Sequence, residues 1–223
     1  MIAKPTIAKP TIAALAIAAL ASLAPSARAK DPAAGATTYT IYEAFMSPSQ
    51  QPGEESEAPK ALAKVTGLQS TAPSVPRAER KSRGWGQLRF TRDLTKVYID
   101  VDVRGVNPAD VLMFHVHCGP PGVLGPIVVD FGSLGSLPKL LANGKFSVEL
   151  TNKDLTYVKQ MPMGLKPALP ESCPVEIGMP TQTMTIAALE YLARKGVLYF
   201  NLHTKANTFY GEVRGQIYAA PNP

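Results

Sequence analysis

The sequence is poor in the residues that most often carry chemistry: 223 residues hold two cysteines, three histidines and one tryptophan. Two cysteines allow one disulfide at most. No Ser/His/Asp arrangement stands out, which leaves a triad hydrolase without support. No glycine-rich motif of phosphate-cradling spacing is present, which removes the nucleotide-binding readings. Beyond residue 29 no apolar stretch reaches the roughly 20 residues that span a bilayer.

What is present begins with an export signal. Lys4 and Lys9 give a basic start, partly through a duplicated Ile-Ala-Lys-Pro-Thr. The Ala/Leu/Ile run from Ile12 to Ala24 suits a signal core and is short for a span, and Ala27-Arg28-Ala29 is a small-x-small cleavage site. Residues 1–29 are therefore expected to be removed, an uncleaved anchor being the other reading. Their loss takes three of 23 Lys and Arg and none of 17 acids, lowering the formal charge from +6 to +3. Such a charge suits solubility and implies no nucleic-acid partner. Export permits Cys118 and Cys173 to pair, closing a loop of about 55 residues worth roughly 4 kcal/mol in chain entropy. A metal-thiolate role for Cys118 is the competing idea.

Residues 30–223 read as a single β domain. TYTIYEAF (38–45) is strand-like, and residues 46–82 form a long polar excursion without sustained periodicity, either ordered or partly mobile. Within it Arg77, Arg80, Lys81 and Arg83 are read as a solvated loop rather than an anion-binding patch. Period-two strands follow at 84–91, 96–103, 111–117, 126–131 and 145–150; in the second, Val97, Ile99, Val101 and Val103 alternate with Tyr98, Asp100 and Asp102. Prolines break residues 151–182 into loop. One helix is expected at 186–195, with an Ile186/Leu189/Leu192/Ala193 stripe and Gly196 as its stop. Strands at 197–204 and 211–219 close the chain. The expected fold is all-β, an antiparallel Greek-key β-sandwich or flattened barrel with one short helix.

All three histidines fall on two of these strands. His115 and His117 share one face, with Phe114 and Val116 on the other; His203, Asn201 and Tyr199 share a face opposite the apolar Leu198, Phe200 and Leu202. The apolar sets belong in the core, so the histidines point outward, beneath loops. Two imidazoles at i and i+2 with a third from a neighbouring strand make a nitrogen set that suits copper or zinc. The alternative is hydrogen bonding and loop packing. The Gly119–Pro126 segment reads as a tight turn, and Arg214 either pairs with Glu212 or guides an anion toward a metal.

Three pieces, in order, carry a resemblance: His115-Val116-His117-Cys118-Gly119 through Gly125-Pro126-Ile127-Val128-Val129, then Leu198–Thr204, then Gly211-Glu212-Val213-Arg214-Gly215-Gln216-Ile217. Together they resemble the chordin-type (CHRD) domain, found widely in exported bacterial proteins. The long 46–82 stretch and Asn207-Thr208-Phe209-Tyr210 depart from its pattern and bear on loop shape. The resemblance implies a secreted or periplasmic module but no particular activity. A fainter similarity is to copper/zinc superoxide dismutase, in which Phe-His-Val-His lies on a strand of a Greek-key sandwich. It implies copper, ahead of zinc, at His115, His117 and His203, without a bridging histidine or zinc cluster.

Two functions follow as expectations. The first is an exported, non-catalytic binding module carrying a three-histidine copper site, its extracellular protein or glycan partner unspecified. The second is a copper-dependent oxidoreductase of the superoxide dismutase type.

Overall fold

A computed structural model describes residues 38–155 and 185–221. Among the described residues nine strands form two antiparallel sheets. These strands are β1 (Thr38–Met46), β2 (Arg83–Thr91), β3 (Lys96–Arg104), β4 (Val111–Cys118), β5 (Ile127–Asp130), β6 (Lys145–Thr151), β7 (Leu198–Thr204), β8 (Val213–Gln216) and β9 (Tyr218–Ala219). One sheet has the order β6-β3-β2-β1-β9 and the other β5-β4-β7-β8. The chain leaves β3 for the β4–β5 pair in the second sheet, then returns with β6 beside β3. That return is a Greek-key connection. The two sheets stack as a sandwich and touch at one corner, where Ser47 and Arg214 exchange backbone hydrogen bonds of 2.9 and 3.2 Å.

Alternation makes the core. Val97, Ile99, Val101 and Val103 of β3 are all buried, while Asp100 and Asp102 remain half-buried and pair with Arg89 and with Arg104 and Lys145. From the facing sheet, Phe114 packs against Phe131, Phe146 and Phe200 with ring centroids 5.0, 5.9 and 6.0 Å away. Strand β7 differs from a half-solvated antiparallel strand, because all seven of its residues are buried. Its inner side faces the core, and its outer side lies under two loops that prove to hold the site.

Three α-helices appear among the described residues, where one was expected: α1 (Lys60–Thr66), α2 (Leu137–Leu140) and α3 (Ile186–Arg194). The first two are too short to display a 3.6-residue period. Helix α3 is the expected one. Its apolar stripe is buried, Thr185 Oγ1 accepts from the Ala188 amide at 3.1 Å, and Gly196 takes φ +68°.

Two expectations need correction. The strand expected at 211–219 is two strands: β8 stays on β7, while β9 crosses to pair with β1. The change occurs at the buried Ile217, whose amide still donates to Leu198 O at 2.8 Å. The basic run at 77–83 is a solvated loop only in part: Lys81 and Arg83 are exposed and Arg77 is half-buried, but Arg80 is not solvated. Arg80 is buried and donates to Val75 O, Gly211 O and Ser74 Oγ, and Arg77 pairs with Glu54 at 2.9 Å. Guanidinium forks satisfy carbonyls that the polar excursion would otherwise bury unpaired. The loop expected at 151–182 lies outside the described residues from 156 on, as does Cys173.

Candidate metal centre

Strands β4 and β7 are direct neighbours. Met113 lies opposite His203, His115 opposite Asn201 and His117 opposite Tyr199. Adjacency was what the sequence could not supply, and it brings His115, His117 and His203 onto one patch of the outer sheet face. One ligand nitrogen from each lies within 4.8 Å of the other two. Cys118, two residues past Val116, falls on the opposite face and is part of the hydrophobic core. It therefore takes no part in this cluster, and the thiolate idea drops out.

The rings point outward yet are not wet: His115, His117 and His203 are 5%, 9% and 5% exposed. Each is pinned through one nitrogen only. His117 Nδ1 lies 2.9 Å from Gly125 O, and His203 Nδ1 lies 2.9 Å from Thr208 O. A carbonyl oxygen only accepts, so both Nδ1 atoms carry the proton. His115 Nε2 faces Asp130 Oδ1 at 3.5 Å, its partner across the β4–β5 pair. The same reasoning places that proton on Nε2. Three lone pairs remain, on His115 Nδ1, His117 Nε2 and His203 Nε2, and all three atoms are buried without a hydrogen-bond partner.

Buried polar atoms are rarely left unpaired, each at a cost of about 1–3 kcal/mol. Three such acceptors gathered together are disfavoured unless a cation joins them. Bonds of about 2.0–2.1 Å to one tetrahedral ion would set the nitrogens roughly 3.3–3.4 Å apart, so the widest pair closes by no more than roughly 1.5 Å. The donor set therefore fits a metal ion. The carbonyls and the Asp130 carboxylate behind the rings fix tautomer and orientation, as metal-bound imidazoles require.

Protonation of His117 and His203 is suppressed. Burial, with His115 as a second charge nearby, pushes His203 down to about 3. Burial also holds His117 well below the ordinary histidine value, reinforced by His115 and His203. In the metal-free protein these two rings stay neutral when folded, while the unfolded chain gains protons on them below about pH 6.5. Stability from these rings is complete above that value and is lost as pH falls toward 3. By pH 5, His203 alone lowers unfolding free energy by about 2 kcal/mol, with His117 adding in the same direction. Urea melts of metal-free protein at pH 7 and pH 5 measure this, and equal midpoints would contradict buried neutral rings.

Loops that the sequence left undefined hold the rings in place. Gly125 presents its carbonyl to His117 while its amide donates to Tyr199 Oη at 3.0 Å. A Cβ there would sit 1.7 Å from Cys118 O, so only glycine allows this approach. Tyr199 stacks on His117 at 5.0 Å with rings 7° from parallel, and the Arg214 guanidinium lies over the Tyr199 ring, 3.5 Å from its centroid. Arg214 is 1% exposed and donates to Val123 O and Pro120 O, both at 2.9 Å. It does not pair with Glu212, whose carboxylate instead takes Ser82, Thr204 and Asn207. Its guanidinium is committed to carrying the 119–126 turn against the site.

His203 is held through a second chain of contacts. Thr208 O, its acceptor, belongs to a turn whose Thr208, Phe209 and Tyr210 amides all donate to the Glu55 carboxylate, at 2.9, 2.8 and 3.0 Å. Ser70 Oγ donates to the same carboxylate at 2.5 Å. The polar excursion thus reaches over the outer sheet face and anchors the turn that orients His203. Glu55 and Gln51 carried no signal in the sequence, because the stretch around them has no period to read.

The CHRD domain family model matches residues 62–217. The chain belongs to the CHRD domain family. No curated protein and no solved structure matches it. The CHRD match contains all three histidines, Asp130, Gly125 and Arg214. Strand β1, which lies between β2 and β9 in the larger sheet, precedes the matched residues, and so do Gln51 and Glu55. No helix among the described residues is long and apolar enough to cross a membrane.

Proposed function

We propose that this protein is an exported CHRD-domain module that binds one copper ion through His115 Nδ1, His117 Nε2 and His203 Nε2. The observation that carries the reading is the convergence of these three buried, unpartnered nitrogens, each ring fixed through its other nitrogen. Neutral imidazoles suit copper and zinc alike, and the nitrogen-only histidine set favours copper over the oxygen-seeking ions. In this reading residues 1–29 are removed on export, residues 30–223 work as one unit, and Cys118 pairs with Cys173 outside the reducing cytosol. When bound, the ion would supply affinity for a fourth donor. The chain's own part is to hold three lone pairs in place and to keep water out.

The second reading is a copper-dependent oxidoreductase acting on superoxide. Three ligands leave a coordination position open, which favours it. Against it, the Arg214 guanidinium is engaged by loop carbonyls and is not directed to an incoming anion. Superoxide removal by copper-loaded protein, compared with free copper under the same chelator, separates the two. The module reading expects equal rates. A large excess rate, abolished in His203→Ala, would make the protein an enzyme.

A further inference from the structure

Four buried side-chain N or O atoms among the described residues lack a hydrogen-bond partner; three are the imidazole nitrogens and the fourth is Gln51 Oε1. We propose that Gln51 is the fourth donor of this centre, its amide oxygen facing the ion held by His115, His117 and His203. The inference rests on the metal-binding reading above and adds an oxygen donor to it.

The orientation of the amide follows from its neighbours. Asn201 Nδ2 donates to Tyr210 O at 3.0 Å, so Asn201 must present Oδ1 to Gln51. That oxygen accepts from Gln51 Nε2 at 2.8 Å. Reversing the glutamine would set two acceptors against each other, so Oε1 is left as the free end. Gln51 is 2% exposed, and bulk water does not reach that oxygen. An unpaired buried amide oxygen costs about as much as an unpaired imidazole nitrogen, and one ion relieves all four.

Placement supports the same assignment. Asn201 lies directly opposite His115 and two residues from His203 on the same strand face. Gln51 is therefore one hydrogen bond away from the residue that stands among the three ligands. Its backbone is fixed as well: the amide donates to Pro48 O at 3.1 Å, and the carbonyl accepts from Arg77. The approach of Gln51 to Asn201 depends on Gly211, at φ +103°. A Cβ there would lie 2.4 Å from Asn201 Oδ1 and 2.8 Å from Gln51 Nε2. A neutral oxygen beside three neutral nitrogens would add a dipole to the donor set without adding charge. Gln51 precedes the CHRD match at 62–217, so this donor comes from the segment outside the family-matched residues.

Copper(II) alone is the probe, added to the untagged full chain, with affinity and electron paramagnetic resonance as readouts. In Gln51→Leu the copper affinity falls about tenfold or more and the parallel copper hyperfine splitting changes, while the three-nitrogen superhyperfine pattern persists. In Gln51→Glu binding tightens by about tenfold or more, because a carboxylate at the fourth position adds charge attraction. A purely structural glutamine gives the opposite sign there, since the new carboxylate would repel Asn201 Oδ1 and loosen the site. Wild-type copper binding with unchanged spectra and affinity in both variants, or weaker binding in Gln51→Glu, overturns the assignment and leaves the three-histidine site standing. No copper on the wild type removes the site itself, and the fourth donor with it.

Discussion

Copper affinity is expected to fall about a hundred- to a thousandfold in each of His115→Ala, His117→Ala and His203→Ala. The binding free energy of a buried site divides among its ligands at roughly 3–4 kcal/mol each. The companion effect on the metal-free protein distinguishes a metal site from a packing cluster. Each ring leaves one buried nitrogen unpaired, so the histidines contribute little to the stability of the empty fold. His203→Leu fills a similar volume with apolar atoms and removes an orphaned acceptor, at the cost of its hydrogen bond to Thr208 O. Its metal-free stability should remain within about 1–2 kcal/mol of wild type, although copper capture is lost. Histidines serving only structure would show the reverse, with large destabilisation and no change in metal stoichiometry.

The second large effect belongs to Glu55. Its carboxylate is 8% exposed and accepts three successive backbone amides and the Ser70 hydroxyl. Glu55→Ala would leave those donors without an acceptor beneath the excursion, a loss of about 3–5 kcal/mol in unfolding free energy. Because the same turn supplies Thr208 O to His203 Nδ1, copper affinity should drop with it by about ten- to a hundredfold. Glu55→Gln keeps one accepting oxygen and should lie between wild type and Glu55→Ala in both quantities. Denaturant melts and copper titration of the three proteins provide the test. Wild-type copper affinity in Glu55→Ala would show that the turn does not govern His203.

The alternation at 96–103 and 111–117 was legible because each strand has one apolar side; the structure buries those sides over 96–103 and from Phe114 on, while a register shift between Val111 and Met113 leaves Leu112 exposed. The histidine faces were legible for the same reason. Which nitrogen of each ring stays free was not, since it depends on Gly125 O, Thr208 O and Asp130, and these arrive from separate loops and a neighbouring strand. Strand pairing is non-local, so nothing near His203 in the chain announces that β7 lies beside β4. Residues 46–82 were the least legible. Gln51, Glu55 and Arg80 act through hydrogen bonds to residues far along the chain, which leave no periodic trace, and a stretch that reads as polar turns out to be the cover of the site. The segments 46–82 and 207–210 meet in one contact, Glu55 against the 208–210 amides.

The most direct test of the central claim is metal content and copper titration of the protein purified without a histidine tag. The expected result is one tight equivalent of copper per chain, with a spectrum showing three nitrogen ligands. Protein that takes up no stoichiometric copper, or takes it up equally well after loss of all three histidines, would contradict the account.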